Sequence, residues 1–373
     1  MRFVTLDFYR FIAALGVLFY HFLRMYGEDE HGIFQEYTKN FYLFVDFFFI
    51  LSGFVITYTY YHRVSTGDEI LSFLRKRLAR IYPLHVATLA LYVLFAAGFA
   101  LGFYAVDRPQ RYELMAVPQN LLMVHAWGTT KDLTFNYPSW SISAEWFMYL
   151  LFPVIALLCR RARAWGLFVV AAGCVLVLEV ITRRHLVASS AWTGMSFDFG
   201  ALRAIPTFIV GVMIGRWIEQ RRAAFRAGSW VGLGFFVLSI ILMMGNASAY
   251  LVLASFALTV AITAVGDLGG PPAIMTWPAA RALGDASYSI YMLHPLFGTV
   301  FLALLWKRSV ARLDVPLPVY CLIVAGLVCS ASILSYIYFE RPARLYFSGR
   351  KGNDGGGKVF SQEEGQAVRA AIE

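Results

Sequence analysis

Two side chains that could do chemistry lie inside the first apolar segment of the chain. Arg10 and His21 are eleven residues apart, which is three helical turns plus roughly 20° and about 16 Å along the axis, so they share one face. An arginine in a lipid-spanning helix is costly unless it faces a polar interior, and histidine suits proton transfer near neutral pH. The pair predicts a functional face, whereas a histidine held at the interface for packing is the alternative interpretation.

Two carboxylates lie near the start of later apolar segments. If the first two helices are antiparallel neighbours, Asp46 enters the membrane from the same side as His21 and could orient its ring; snorkelling at the interface is the alternative. Glu145 shares a helix face with Ser141 and should face a polar cavity or a cation. Arg10 and Arg203 are its candidate partners, and a purely structural ion pair is the alternative.

Basic and histidine side chains elsewhere add further candidates. Arg77 and Arg80 are three residues apart in the basic segment 75–83, and two guanidinium groups at this spacing suit phosphate. From charge alone, ordinary membrane topology and anionic lipid headgroups are the favoured explanation of these residues. Arg203 lies near the outer end of its apolar segment and either faces an acceptor or snorkels. His294 precedes a proline that kinks its helix, where it lines a cavity or bonds a freed carbonyl.

The composition defines the class of protein that must position these residues. Of 373 residues, 59% are hydrophobic and only 15% are charged, against about 25% in soluble proteins. The net charge of +9 does not indicate nucleic acid, because the basic residues lie in short loops between apolar runs. The sequence lacks metalloprotease, α/β-hydrolase, Walker and Rossmann motifs, and its four cysteines show no metal spacing. We therefore expect a membrane protein without a metal centre.

The pattern of apolar runs predicts an all-α integral membrane protein with about ten transmembrane helices. About twice as many lysine and arginine residues fall on the side that holds both termini, so we expect both termini in the cytoplasm. We expect one transmembrane domain over 1–347 and a flexible cytoplasmic tail over 348–373. The predicted spans are 5–25, 40–61, 84–106, 138–158, 165–184, 199–217, 229–246, 248–266, 282–304 and 316–338.

Five short motifs, found in a family's order, together resemble the membrane-bound acyltransferase family 3, the O-acyltransferases that modify bacterial surface polysaccharides, O-antigen and Nod factors. The resemblance covers roughly residues 1–345, and each motif is weak on its own. The motifs are Arg10 with His21, Phe-Phe-x-Leu-Ser-Gly-Phe at 48–54, Arg77-x-x-Arg80-Ile-Tyr-Pro, Ser141-x-Ser-x-Glu145-Trp and Tyr288-Ser-Ile-Tyr-Met-Leu-His294-Pro.

The resemblance implies a multi-pass enzyme of the bacterial inner membrane that takes an acyl group, most often acetyl, from cytoplasmic acyl-CoA to a carbohydrate hydroxyl on the outer side. His21 would be the general base or a transient acyl carrier. The expected catalytic residues are His21, Arg10, Asp46 and Glu145. The expected acyl-CoA-binding residues are Arg77, Arg80, Arg10 and Tyr82. The expected acceptor-binding residues are Ser141, Trp140, Arg203 and His294.

The expected partners are membrane lipids and the carbohydrate acceptor, and the resemblance leaves open whether a separate periplasmic protein completes the transfer. The buried ionisable residues also suit a different class of protein, a proton-coupled carrier or flippase of glycans or lipids. Transport without an acyl donor would distinguish that class. A structural scaffold for an envelope assembly is a third interpretation, but it gives the intramembrane charges no purpose.

Overall fold

The structure, a computed structural model, describes residues 2–26, 32–106, 108–161, 164–220, 228–306 and 315–348, and none of these residues forms a β-strand. The two π-helices Gly298–Trp306 and Tyr336–Glu340 directly follow α12 and α13. The α-helices are α1 (Val4–Tyr26), α2 (Ile33–Thr38), α3 (Phe44–Tyr60), α4 (Gly67–Ala100), α5 (Val117–Leu121), α6 (Trp140–Arg161), α7 (Ala164–Arg183), α8 (Gly200–Gln220), α9 (Ser229–Met244), α10 (Ala249–Gly269), α11 (Pro278–Asp285), α12 (Ser287–Phe297), α13 (Leu317–Ser335) and α14 (Arg341–Phe347).

The predicted class, an all-α multi-pass membrane protein, is confirmed. Within the described ranges, nine helical segments are long and apolar enough to cross a membrane. The predicted span 229–246 corresponds to α9, whose 16 residues fall short of the roughly 20 that a bilayer core requires. The side of the membrane on which the termini lie remains a prediction. Beyond residue 348, the predicted tail lies outside the described residues.

The basic segment 75–83, which we expected as a loop before a span over 84–106, is instead the first half of a long helix. A capping box begins α4: Thr66 accepts from the backbone of Glu69, and the Glu69 carboxylate accepts from the backbone of Thr66. The helix then continues through Pro83 to Ala100. The apolar run marks only the second half of α4, so hydropathy alone misplaced the start of this helix by about five turns.

Helices α3 and α8 approach closely through glycine residues. A β-carbon at Gly211 would lie 2.1 Å from the carbonyl oxygen of Ile50, and one at Gly53 would lie 2.2 Å from that of Phe208. Small residues allow membrane helices to pack backbone against backbone, since lipid supplies no hydrophobic force to drive them together. This contact fixes α3 rigidly against α8.

We expect Gly211→Ala to destabilise the protein, because the added methyl group cannot fit without separating α3 from α8. Overpacking of this kind costs about 1–3 kcal/mol, and the thermal unfolding midpoint of the purified protein should fall accordingly. The matched control is Gly326→Ala in α13, where a β-carbon would meet no atom within 4 Å. Unchanged midpoints for both variants would contradict the close contact.

The first helix lies in the middle of the bundle. Helix α1 packs against α3, α10, α11, α12 and α13, and buried side chains such as Tyr9, Ala13 and Val17 lie within these contacts. Because α1 is a single helix over Val4–Tyr26, it carries Arg10 near one end and His21 near the other. The predicted functional face is therefore surrounded by protein.

Candidate active site

A polar cavity of about 420 Å³ lies among α1, α3, α4, α6 and α12 and the segment that follows α13. Its size falls within the roughly 300–1,000 Å³ typical of small-molecule sites. Five arginines and four acidic residues contribute to its lining: Arg2, Arg10, Arg77, Arg80 and Arg344, with Asp7, Glu145, Asp285 and Glu340. The structure thus brings together five residues that the sequence singled out, namely Arg10, Arg77, Arg80, Ser141 and Glu145.

Two of the cavity arginines are neutralised by carboxylates. Arg2 lies 2.6 Å from Asp7 and 2.6 Å from Asp285. Arg10 lies 3.4 Å from Asp7, and its Nε donates to the Ser287 hydroxyl at 2.9 Å. Burial raises the pKa of the Asp285 carboxyl, and Arg2 opposes that effect. This network positions Arg10 firmly in the cavity wall.

Arg77 and Arg80 form no such ion pair. Within the described ranges, no carboxylate lies within 4 Å of either guanidinium group. Arg77 is only 9% exposed and stacks on the ring of Tyr60, with 4.8 Å from its Cζ to the ring centroid. Two positive groups without ion-pair partners in one cavity wall are suited to an anionic ligand.

Glu145 lies in the same cavity, held by two hydroxyl groups. Its Oε1 accepts hydrogen bonds from Ser52 at 2.7 Å and from Tyr149 at 2.6 Å. Within the described residues, no protein donor contacts its Oε2. Its predicted partners, Arg10 and Arg203, form no ion pair with it; Arg80 is the cation that acts on it electrostatically. Glu145 therefore belongs with the arginines of the cavity.

His21 lies against a second histidine. The two rings of His21 and His294 are stacked, 5.3 Å apart at 18°, and Tyr137 contacts His21 edge-on at 4.8 Å. Nδ1 of His294 lies 3.1 Å from the carbonyl oxygen of Ile290, which makes Nδ1 the protonated nitrogen. Nε2 of His294 is then a buried acceptor without a hydrogen-bond partner among the described residues. The sequence named both histidines, but their contact is visible only in the structure.

The prediction that Asp46 orients His21 is wrong. Both carboxylate oxygens of Asp46 accept from Arg203, at 3.3 Å and 2.6 Å, and the two side chains are 0% and 2% exposed. No hydrogen bond joins Asp46 or Glu145 to His21 in the described part of the chain. A buried carboxylate with an arginine in reach pairs with it, because an unpaired buried charge is very costly.

This ion pair also corrects the predictions for Arg203 and Trp140. Arg203 neither snorkels outward nor lines the cavity, because its guanidinium lies between Asp46 and the ring of Trp140, 5.1 Å from that ring centroid. Trp140 is itself 9% exposed and begins α6. Tyr82 is half-buried on α4 and does not line the cavity either. These three residues pack around the site without facing it.

The cavity is connected to the histidine pair through Tyr291, which sequence analysis missed. Its hydroxyl lies 2.7 Å from that of Ser141, and both hydroxyls can donate to the carbonyl of Pro138 at 3.1 Å. The two hydroxyl hydrogens can satisfy only two of these three contacts at a time. Which hydroxyl donates to which acceptor can therefore change without movement of the oxygen atoms. The Tyr291 ring lies 5.8 Å from that of His294. Its position one helical turn before His294 was the available signal.

A second histidine pair lies outside this site. The rings of His85 and His125 are parallel at 5.8 Å, and both are almost fully buried. Nε2 of His125 contacts the Ser139 hydroxyl at 3.1 Å. Burial, helped by the neighbouring His85, lowers the pKa of His125 to about 3, so this ring is neutral at physiological pH. The pair is part of the buried structure around the segment that precedes α6.

The fold and the cavity define a multi-pass membrane protein with a buried, arginine-rich site that includes polar groups suited to acyl transfer. Residues 3–335 match the acyltransferase 3 family, which is described as an acyltransferase domain, and the chain belongs to this family. The predicted family and the predicted class of enzyme, an acyltransferase, are confirmed.

Three curated relatives show the range of the family. The chain is 24% identical to "Acyltransferase MdmB" of Streptomyces mycarofaciens over 79% of its own length and 78% of the relative. It is 33% identical to "Protein 2 in picA locus" of Rhizobium radiobacter over 51% of its length and 95% of that protein. It is 23% identical to "Putative O-acetyltransferase SACOL0978" of Staphylococcus aureus (strain COL) over 92% of its length, but spans 58% of that longer protein. No solved structure matches the chain.

Proposed function

We propose that this protein is a membrane O-acyltransferase that binds an acyl-CoA, with acetyl-CoA as the expected donor, in the arginine-rich cavity. It transfers the acyl group to a carbohydrate hydroxyl beside His21. The observation that carries the proposal is the pair of unneutralised guanidinium groups, Arg77 and Arg80, in the wall of a cavity that ends near a histidine pair. Relatives named as acyltransferases and O-acetyltransferases support the reaction class.

The proposed donor mode follows from charge and shape. CoA carries phosphate groups at one end of a long, flexible arm and the thioester at the other. Arg77 and Arg80 supply planar donors that suit phosphate oxygens, and the aromatic ring of Tyr60 holds Arg77 in place. The thioester end would extend past Arg10 towards Tyr291 and the histidine pair. In the membrane orientation that the basic residues predict, the donor enters from the cytoplasm.

The proposed reaction is a direct transfer. His21 accepts the proton of the acceptor hydroxyl, whose oxygen attacks the thioester carbonyl; the C–S bond then breaks, and the proton ends on the sulfur of free CoA. The hydroxyls of Ser141 and Tyr291 are placed to donate to the oxygen of the tetrahedral intermediate after rotating away from Pro138. His294, whose Nε2 has no hydrogen-bond partner among the described residues, stacks on His21 and helps to hold its ring in place.

The donor site is tested by measuring acetyl-CoA binding to the purified protein. The Arg77→Ala, Arg80→Ala double variant should bind about 100-fold or more weakly, since each charge-assisted hydrogen bond contributes about 1.5–3 kcal/mol. The matched control is Arg75→Ala with Lys76→Ala, which removes two exposed charges from the same helix without touching the cavity. Thermal unfolding of each variant shows that it is folded.

Two outcomes would contradict the proposal. Equal loss of affinity in the control would mean that general positive charge, not the cavity, attracts the donor. If the folded wild-type protein binds no acyl-CoA, the proposal that acyl-CoA is the donor is wrong. The carrier or flippase hypothesis has no support from the family, and acyl-independent transport of a glycan would be the finding that revives it.

A further inference from the structure

The mouth of the cavity is formed by a segment that lies beyond the family match at residues 3–335. The π-helix Tyr336–Glu340 and α14 follow α13, and α14 packs against α4. As a result, Glu340 and Arg344 line the same cavity as Arg80. Arg344 is exposed and Arg80 is half-buried, whereas Arg77 is 9% exposed, so these arginines descend from the surface into the cavity.

The charges of the cavity are unevenly balanced. Asp7 and Asp285 neutralise Arg2 and Arg10. In the residues that the structure describes, neither Arg80 nor Arg344 has a carboxylate within 4 Å. Positive charge without a close partner therefore remains on both sides of the mouth.

Glu340 is an acidic group that lines the cavity together with these two arginines. In the described part of the chain, it forms an ion pair with neither of them. Its Oε1 is buried without a hydrogen-bond partner among the described residues. A buried oxygen left in this state is costly, and a site of this kind commonly binds a ligand or water.

We propose that Arg344 and Arg80 form a subsite for the 3′-phosphate of CoA at the mouth of the cavity. This rests on the proposed acyl-CoA function. CoA is a linear molecule, so when its thioester lies deep in the cavity its nucleotide end remains at the mouth. A terminal phosphate has the charge and the oxygens to accept from two guanidinium groups at once.

The test compares two probes that differ only in this group, CoA and dephospho-CoA, by calorimetry on the purified full-length protein. Arg344→Gln should weaken CoA binding about tenfold or more and leave dephospho-CoA binding unchanged. The control is Arg75→Gln on α4, which should bind both probes as the wild-type protein does.

Each outcome supports or contradicts the proposed 3′-phosphate subsite. If Arg344→Gln binds CoA as tightly as the wild-type protein does, the subsite is overturned while the proposed function stands. If the variant loses affinity for both probes equally, Arg344 does not recognise the 3′-phosphate. If the folded wild-type protein binds neither probe, the proposed function itself fails, which is a distinct result. Weaker binding of CoA by Arg344→Gln, with dephospho-CoA binding unchanged, would establish the subsite.

Discussion

Replacing His21 with alanine should lower acyl transfer by about 10²–10⁴-fold, the usual contribution of a positioned general base. The loss should appear in kcat, and the affinity for acetyl-CoA should stay unchanged, because the proposed donor-binding residues Arg77 and Arg80 line the cavity whereas His21 lies against His294. The measurement is the rate of acyl transfer from labelled acetyl-CoA by the purified protein in lipid. Thermal unfolding of the same samples shows that the variant is folded.

The matched control is His62→Ala, a histidine that is 69% exposed and pairs with Glu219 far along the chain. It should retain wild-type activity. Full activity of the His21→Ala protein would exclude His21 as the base. Covalent label on the wild-type protein, recovered on His21 in the absence of acceptor, would instead identify the transient acyl carrier that direct transfer does not require.

Breaking the buried ion pair should produce the largest loss of stability. Asp46→Ala leaves the Arg203 guanidinium uncompensated in a site where it is 2% exposed, and removing one partner of such a pair costs about 3–5 kcal/mol. We expect a marked fall in the thermal unfolding midpoint and loss of activity through the fold. The midpoint in detergent measures this effect.

The double variant Asp46→Leu, Arg203→Met should be milder than the single one, because it removes both charges and leaves neither unpaired. A surface comparison is Arg183→Gln, which breaks an exposed pair with Glu179 and should cost less than about 1 kcal/mol. If the double variant is less stable than Asp46→Ala, the Asp46 and Arg203 side chains stabilise the fold by more than the neutralisation of each other's charge.

The sequence predicted what depends on local pattern. The spacing of Arg10 and His21 follows from helical geometry, and apolar runs mark the membrane helices. The start of α4 could not be found this way, because the signal for it is the capping box at Thr66 and Glu69, which lies outside the apolar run. Hydropathy indicates which part of a helix contacts lipid, but it does not indicate the residue at which the helix begins.

Partners that are distant in sequence could not be predicted. Asp46 and Arg203 are 157 residues apart, and choosing between Arg203 and His21 as the partner of Asp46 requires the packing of α3 against α8. The stacking of His21 on His294 depends in the same way on how α12 lies beside α1. The residue types were sufficient to single out these side chains as candidates. Which side chain contacts which could be determined only from the tertiary structure.

Glu340 and Arg344 illustrate a different failure. Arg344, at the end of the last apolar run, is one of the basic residues that predict the membrane topology, and the sequence pattern assigns no role to Glu340, four residues before it. Only the packing of α14 on α4 shows that Glu340 and Arg344 line a cavity. A charge beside a membrane helix has the same appearance in sequence whether it faces water, lipid headgroups or a ligand.

Helix α1, which is unbroken over Val4–Tyr26, has a consequence for which donors the protein can use. The rise per residue of this helix places Arg10 and His21 about 16 Å apart along its axis. A small activated acid such as acetyl phosphate would bind its phosphate at the arginines and leave its acyl group far short of the histidine. Under the proposed function, a carrier with a long pantetheine arm covers that length, whereas a short donor does not.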